Sequence, residues 1–178
     1  MQLTSHDRYD YRAIHDRPSF SWPEGEGLAV YLGLNLEHFA FGEGLGAELA
    51  PGGPQPDVLN YAWRDYGNRV GGWRMLDLFD EFGLPASVLA NSTLADYCPE
   101  LVQAFLDRGD ELVAHGRTNA ERQGDLPEEQ EARLIRESGD RLQQAFGVGP
   151  QGWLGPWISE SHVTPDLLRE AGYAYLLD

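Results

Sequence analysis

Apolar residues recur along the chain with two different periods. Short runs at 28–34 (LAVYLGL), 85–90 (PASVLA), 111–114 (ELVA), 152–154 (GWL) and 173–177 (YAYLL) read as buried strands. Between them the period lengthens. Residues 70–82 carry Trp73, Leu76 and Phe79, and with offset Met75, Leu78 and Phe82, which is helical spacing, with Gly83 as a C-terminal cap. Residues 99–108 predict a helix with Pro99 in its first turn and Gly109 past its end. A long charged amphipathic helix is predicted over 127–146, closing at Gly147. Thr164 is expected to cap a helix that starts at Pro165 and stops at Gly172. The Gly/Pro-rich stretch 42–56 predicts a long loop.

Strands separated by crossover helices imply an α/β fold with a parallel sheet, open or barrel-like. In such folds ligands sit at the carboxyl ends of the strands. The residues that follow the predicted strands are Asn35, Glu37 and His38, then Asn91 and Ser92, then His115 and Asn119, then Pro156, Ser159 and Glu160, with Asp178 ending the last. Polar side chains able to do chemistry thus gather at one rim. Five strands fall short of the seven or eight of a (β/α) barrel, and no helix follows the fifth. Residues 1–178 are therefore expected to form one incomplete domain, the N-terminal portion of a longer parallel-stranded barrel.

Glu37 follows the first strand directly and is suited to act as a general base or to bind a metal; Asn35 points the same way if the strand continues. His115 sits at the end of the third strand, before a glycine that permits close backbone approach. It suits metal ligation, polarisation of a carbonyl or proton transfer, and equally a histidine tied to a neighbouring backbone group. Asn119 stands where a second histidine would complete a metal pair, and is a poor zinc ligand. The stretch 61–74, YAWRDYGNRVGGWR, offers Arg64, Arg69 and Arg74 as clamps for an anionic or amide group, or as partners of the many carboxylates. Trp153 and Trp157 suit an apolar pocket wall or the core. Cys98 precedes a predicted helix, which favours its thiolate, but with no base beside it in sequence it reads as a small buried residue. GEGLGAELAPGG lacks the lysine and the strand-to-helix context of a phosphate loop.

Composition narrows the partners. The 178 residues carry 29 acidic and 13 basic side chains, all of the latter arginine, for a formal charge of −16. That balance argues against nucleic acid and anionic membrane as partners. The absence of lysine fits a GC-rich genome or a halophilic protein. No apolar run approaches a membrane span, the first residues lack the apolar stretch of a signal peptide, and a single cysteine fits a reducing compartment, so a cytoplasmic protein is expected. A homo-oligomer is compatible with these features.

The ordered segments RYDYRAIHDRPSFSWP, LNLEHFAFG, NYAWRDYGNRVGGWR, AHGRTNAERQ and GWLGPWISES-HVTPDLLREAGYAYLLD resemble the polysaccharide deacetylase (NodB homology) family, in particular its allantoinase-like and peptidoglycan-deacetylase-like branch. The resemblance runs from about Arg8 to Asp178. It implies a distorted (β/α) barrel that hydrolyses non-peptide C–N bonds, in N-acetylated sugars or in small amides. Metal-dependent members use an Asp-His-His set with a neighbouring aspartate as base. Here the aspartate-bearing segment matches Asn35-Leu36-Glu37-His38, the first histidine matches His115, and the second falls on Asn119. The arginine-proline segment is replaced by Trp153-Leu154-Gly155-Pro156. These departures accord with the branch adapted to small amides or ureides. Family members continue past the point matching Asp178 and supply further pocket walls and a late histidine.

The resemblance therefore implies a C–N hydrolase with Glu37 as base and His115 as polarising or proton-transfer residue. Asn35, His38, Asn119, Arg69, Trp153 and Glu160 are the expected substrate-binding residues. No cofactor is expected, the alternative being a divalent metal such as zinc through Glu37 and His115. The alternative function is a truncated or inactive domain that only binds a ligand or partner chain.

Overall fold

The computed structural model describes residues 6 and 8–177. It separates into two compact units, Met1–Val30 and Tyr31–Asp178. The described part of the first holds two short 3-10 turns, Ile14–Asp16 and Pro23–Gly25. Leu28 and Val30 belong to it and are largely exposed, at 74% and 72%. The first strand, expected over 28–34, accordingly begins later.

The second unit carries a five-stranded, wholly parallel sheet: β1 Gly33–Leu36, β2 Ser87–Ala90, β3 Glu111–Ala114, β4 Gly152–Trp153 and β5 Tyr175–Leu176, paired in sequence order. A sequential order has no switch point. With right-handed crossovers it sends every helix to the same face, as in a barrel wall rather than a doubly wound sheet. Register follows from the burial pattern. Leu36, Val88, Ala90, Leu112, Ala114 and Trp153 point into the core shared with the helices. The alternating residues, Asn35, Leu89 and Val113 among them, take the other face. β2 is buried at all four positions, which explains its unbroken apolar sequence. The last predicted rim residue, Asp178, lies outside the described residues.

The helices are α1 Val58–Tyr66, α2 Gly72–Phe82, α3 Leu94–Tyr97, α4 Pro99–Asp107, α5 Glu128–Phe146 and α6 Thr164–Glu170. In α4, Leu101, Val102 and Phe105 are fully buried, each worth about 1.5–3 kcal/mol of apolar burial. α5 buries the stripe Glu131, Leu134, Ile135, Ser138 and Leu142, the i, i+3, i+4, i+7 pattern of one face. Gly83 and Gly147 end α2 and α5 in the left-handed conformation, with φ of 60° and 73°.

Two helical expectations are corrected. The helix expected from residue 70 starts at Val58, where the Asp57 carboxylate accepts from the Asn60 N–H. It runs through a π turn, Gly67–Gly71, into α2. Two glycines at 71–72 and one at 67 masked that continuity. Thr164 is the first residue of α6 rather than its cap: its hydroxyl is drawn inward to the buried carboxylate of Glu131. Among the described residues, no helix is long and apolar enough to cross a membrane.

Candidate active site

The parallel ladder continues one residue past the strands. Asn91 N–H bonds Leu36 O, His115 N–H bonds Ala90 O, and Leu154 N–H bonds Ala114 O. Glu37, Asn91, His115 and Leu154 thereby form the next rank, at the carboxyl ends of β1 to β4. Strand alternation turns Glu37, Asn91 and His115 to the face not covered by helices.

His115 is 2% exposed and its ring is fixed from both sides. Nδ1 lies 2.7 Å from the Leu154 carbonyl and Nε2 lies 3.3 Å from Glu37 Oε1. A carbonyl only accepts, so Nδ1 carries a proton, and Nε2 is the nitrogen turned to the carboxylate. That contact is attractive when Nε2 is also protonated; with a neutral ring, lone pairs face each other. Gly116, at φ 63°, lets the chain turn directly after the histidine, where a Cβ would come within 2.6 Å of Pro156.

Glu37 remains 30% exposed at its side chain. Burial, the largest single influence, pushes its carboxyl up, but hydrogen bonds from His115, Asn35 and Asn119, with the charge of His115, outweigh it. The group is held below the usual carboxylate range. The Asn35 amide donates to Oε1 at 3.2 Å. Asn119 is oriented by Asn91, whose Nδ2 donates to Asn119 Oδ1 at 3.0 Å, leaving the Asn119 N–H₂ for the carboxylate.

Asn91 is fully buried and ties the rim together: it also donates to His115 O and accepts from the His38 N–H at 2.7 Å. Asn68, brought inward by the π turn, donates to Glu37 O at 2.8 Å. A π turn at a functional site is a recurrent arrangement. Trp157 donates its indole N–H to Asn119 O at 2.8 Å, and both it and Ile158 hold left-handed φ values of 65° and 50°. Non-glycine residues adopt that conformation at a cost, and such strain recurs at binding and catalytic sites.

Of the residues singled out from sequence, Glu37, His115, Asn35 and Asn119 meet in one cluster. His38 borders it with its ring 4.7 Å from that of Tyr97; burial lowers its pKa, partly offset by Asp65. Arg69 is exposed and engaged with Asp65 and with Tyr97 Oη at 3.0 Å. Trp153 is fully buried in the core, its indole bonded to Gln123 Oε1 at 3.0 Å. Glu160 is exposed. Cys98 is buried, and its thiol is pushed up to about 11 by burial, with Glu100 and Asp65 adding to it. Burial thus overrides the helix terminus, as expected of an inert thiol. Sequence reasoning passed over Asn68 and over the Leu154 carbonyl. Asn91 was visible as a strand-end residue, but its three partners lie far away in the chain.

As a metal site the cluster offers two strong donors, Glu37 and the His115 Nε2. The Asn119 carbonyl oxygen is taken up by Asn91. No group of three or more His, Cys, Asp and Glu side chains that could hold a metal exists among the described residues. Zinc takes three or four protein ligands, so the residues present do not fit it.

Comparison with known proteins agrees with this fold. The polysaccharide deacetylase family profile matches residues 60–176, a range that takes in His115 and Asn119 and starts after Glu37. A peptidoglycan deacetylase of Helicobacter pylori (strain ATCC 700392 / 26695) is 28% identical over 110 residues, 62% of this chain and 37% of that protein. The crystal structure of Puue allantoinase superposes with a TM-score of 0.74 at 26% identity, covering 88% of this chain and 55% of that one. A probable polysaccharide deacetylase from Pseudomonas aeruginosa PAO1 gives 0.68 at 27% identity, over 83% and 53%. The chain thus spans between about a third and about half of these relatives' length. With two thirds of its residues matched by the family profile, the chain belongs to the polysaccharide deacetylase family, a family of hydrolytic enzymes.

Proposed function

We propose that this site hydrolyses a C–N bond other than a peptide bond in a small amide, ureide or N-acetylated substrate. The observation that carries the reading is the fixed His115 ring, whose Nδ1 bond to Leu154 O turns Nε2 toward Glu37. Glu37 takes a proton from water as the water attacks the carbonyl carbon. Nε2–H of His115 hydrogen-bonds the carbonyl oxygen as negative charge develops there. The same proton passes to the leaving nitrogen as the C–N bond breaks. The proton held by Glu37 then returns to His115 across their contact, restoring the pair. Asn119 and Asn35 hold the carboxylate in place throughout. Polysaccharide deacetylases are generally metal-dependent, which weighs against the expectation of no cofactor; with only two strong donors here, no step is routed through a metal.

A second reading is a domain that binds without turnover, favoured by the asparagine at 119. A panel of N-acetyl sugars, allantoin and simple amides, assayed with and without added Zn²⁺, tests both. Hydrolysis that Glu37→Gln abolishes while the circular dichroism is kept supports the first reading. Turnover undiminished in that variant would sink the assignment, and binding without turnover selects the second. A cytoplasmic setting belongs to the same proposal, supported by the single cysteine.

A further inference from the structure

Beside Glu37 lies a cleft of about 540 Å³, to which Asn35, Glu37, Arg64, Tyr66, Asn68 and Arg74 contribute. That volume suits a small molecule. Among the described arginines, Arg69, Arg108, Arg117, Arg141 and Arg169 each pair with a carboxylate. Arg64 and Arg74 have no such partner among the described residues, which several arginines elsewhere share, but these two are the arginines that line the cleft and both are held in place. Arg64 lies 3.9 Å over the Phe39 ring and donates Nε–H to Asn60 Oδ1 at 3.2 Å. Its two Nη groups remain as an unpaired edge. Arg74 donates from Nη1 to Tyr66 Oη at 2.9 Å, leaving the Nε and Nη2 edge. Each guanidinium thus keeps a two-donor fork, the geometry that matches a carboxylate.

We propose that Arg64 and Arg74 form an anion subsite in this cleft, so that the substrate carries a carboxylate: an N-acylated or N-carbamoylated amino acid rather than a neutral sugar. The remaining chain charge repels an anion at long range, and two guanidinium groups against the single Glu37 carboxylate in the cleft lining reverse that locally. Prior fixing of both side chains lowers the ordering cost of binding. The substrate class rests on the hydrolase reading above; the anion subsite does not.

The test is titration of the 178-residue chain with N-acetylglycine and N-carbamoylglycine, each against its uncharged N-methylamide, by calorimetry and by NMR. The acids bind at least about tenfold tighter than the amides. Arg64→Gln and Arg74→Gln each remove that preference without changing amide binding, and added salt erodes it. Arg136→Gln, on the outer face of α5, serves as control. Should Arg64→Gln unfold, the exposed Arg74 carries the test. Equal binding of acid and amide, a preference that survives Arg74→Gln, or no binding of either acid at about 10 mM overturns the subsite. Charge-selective binding with no hydrolysis supports the subsite while removing the hydrolase reading. Hydrolysis of neutral amides alone, at rates unchanged by either arginine variant, does the reverse.

Discussion

Glu131 and Glu37 both sit among hydrogen-bonding side chains, but their partners differ in kind. Glu131, on α5, is fully buried and accepts from Gln123 Nε2 at 3.1 Å, Ser161 Oγ at 2.6 Å and the Thr164 hydroxyl. Gln123 in turn accepts from the Trp153 indole. Every partner is a neutral donor, and together they join α5 to the 123–125 turn, to β4 and to the start of α6. Glu37 keeps part of its surface open and faces an imidazole that can gain or lose a proton. Saturation by neutral donors makes a structural joint. A carboxylate with an open edge and a titratable neighbour can exchange protons with a substrate.

The sharpest test of that contrast exchanges the two roles. Glu37→Gln is expected to lower kcat/KM by roughly 10³-fold, the scale of a lost general base, while shifting the urea midpoint little at neutral pH. Glu131→Ala is expected to cost about 3 kcal/mol of stability, because it strands buried donors, with activity following the folded fraction. A large stability loss in the first variant, or normal stability in the second, would erase the distinction. Next in size, Asn68→Ala should lower turnover about tenfold by loosening the Glu37 backbone, at a stability cost of about 1 kcal/mol. Steady-state kinetics and urea titration on the same sample separate these two effects.

A smaller effect concerns pH. Since its donors hold the Glu37 carboxyl below the usual range, the folded chain binds that proton less readily than the unfolded one. The ionised group therefore contributes stability above the ordinary carboxylate value, about 4.3, and loses it as pH falls through the lowered one. Urea midpoints of wild type and Glu37→Gln should converge as pH drops below about 4, and the acid limb of kcat/KM should lie below the usual glutamate range. A limb at or above that range would remove Glu37 as the base. The smallest expected change is on chelation: dialysis against EDTA should leave turnover intact, whereas Asn119→His, by adding a third donor, should raise zinc affinity in a calorimetric titration.

Strand and helix positions were legible because period and caps are local properties. β3 and α5 lie where ELVA and the stripe through Leu134, Ile135 and Leu142 put them. α1 was missed because Gly67, Gly71 and Gly72 argue locally against a helix that tertiary packing sustains. The strand-end position of Glu37 and His115 was readable as well, since the carboxyl rim of a parallel sheet follows from topology alone.

Local sequence did not reveal which side chains would share partners. Residues 37, 68, 91, 115, 119 and 154 are brought together by the ladder and the π turn, and their hydrogen bonds run across up to 78 positions of chain. Glu131 looked like one more acid on a charged helix until packing buried it, and Arg64 looked like Arg69 until only one of them had found its aspartate. Periodicity and turn chemistry act between near neighbours, so the sequence by itself determined most of the elements, their parallel strand pairing and the rim where polar side chains gather. Burial and pairing depend on residues far apart in the chain. Only the tertiary structure decided which carboxylate is saturated by neutral donors, which keeps an open edge beside a histidine, and which arginines line the cleft without an acidic partner.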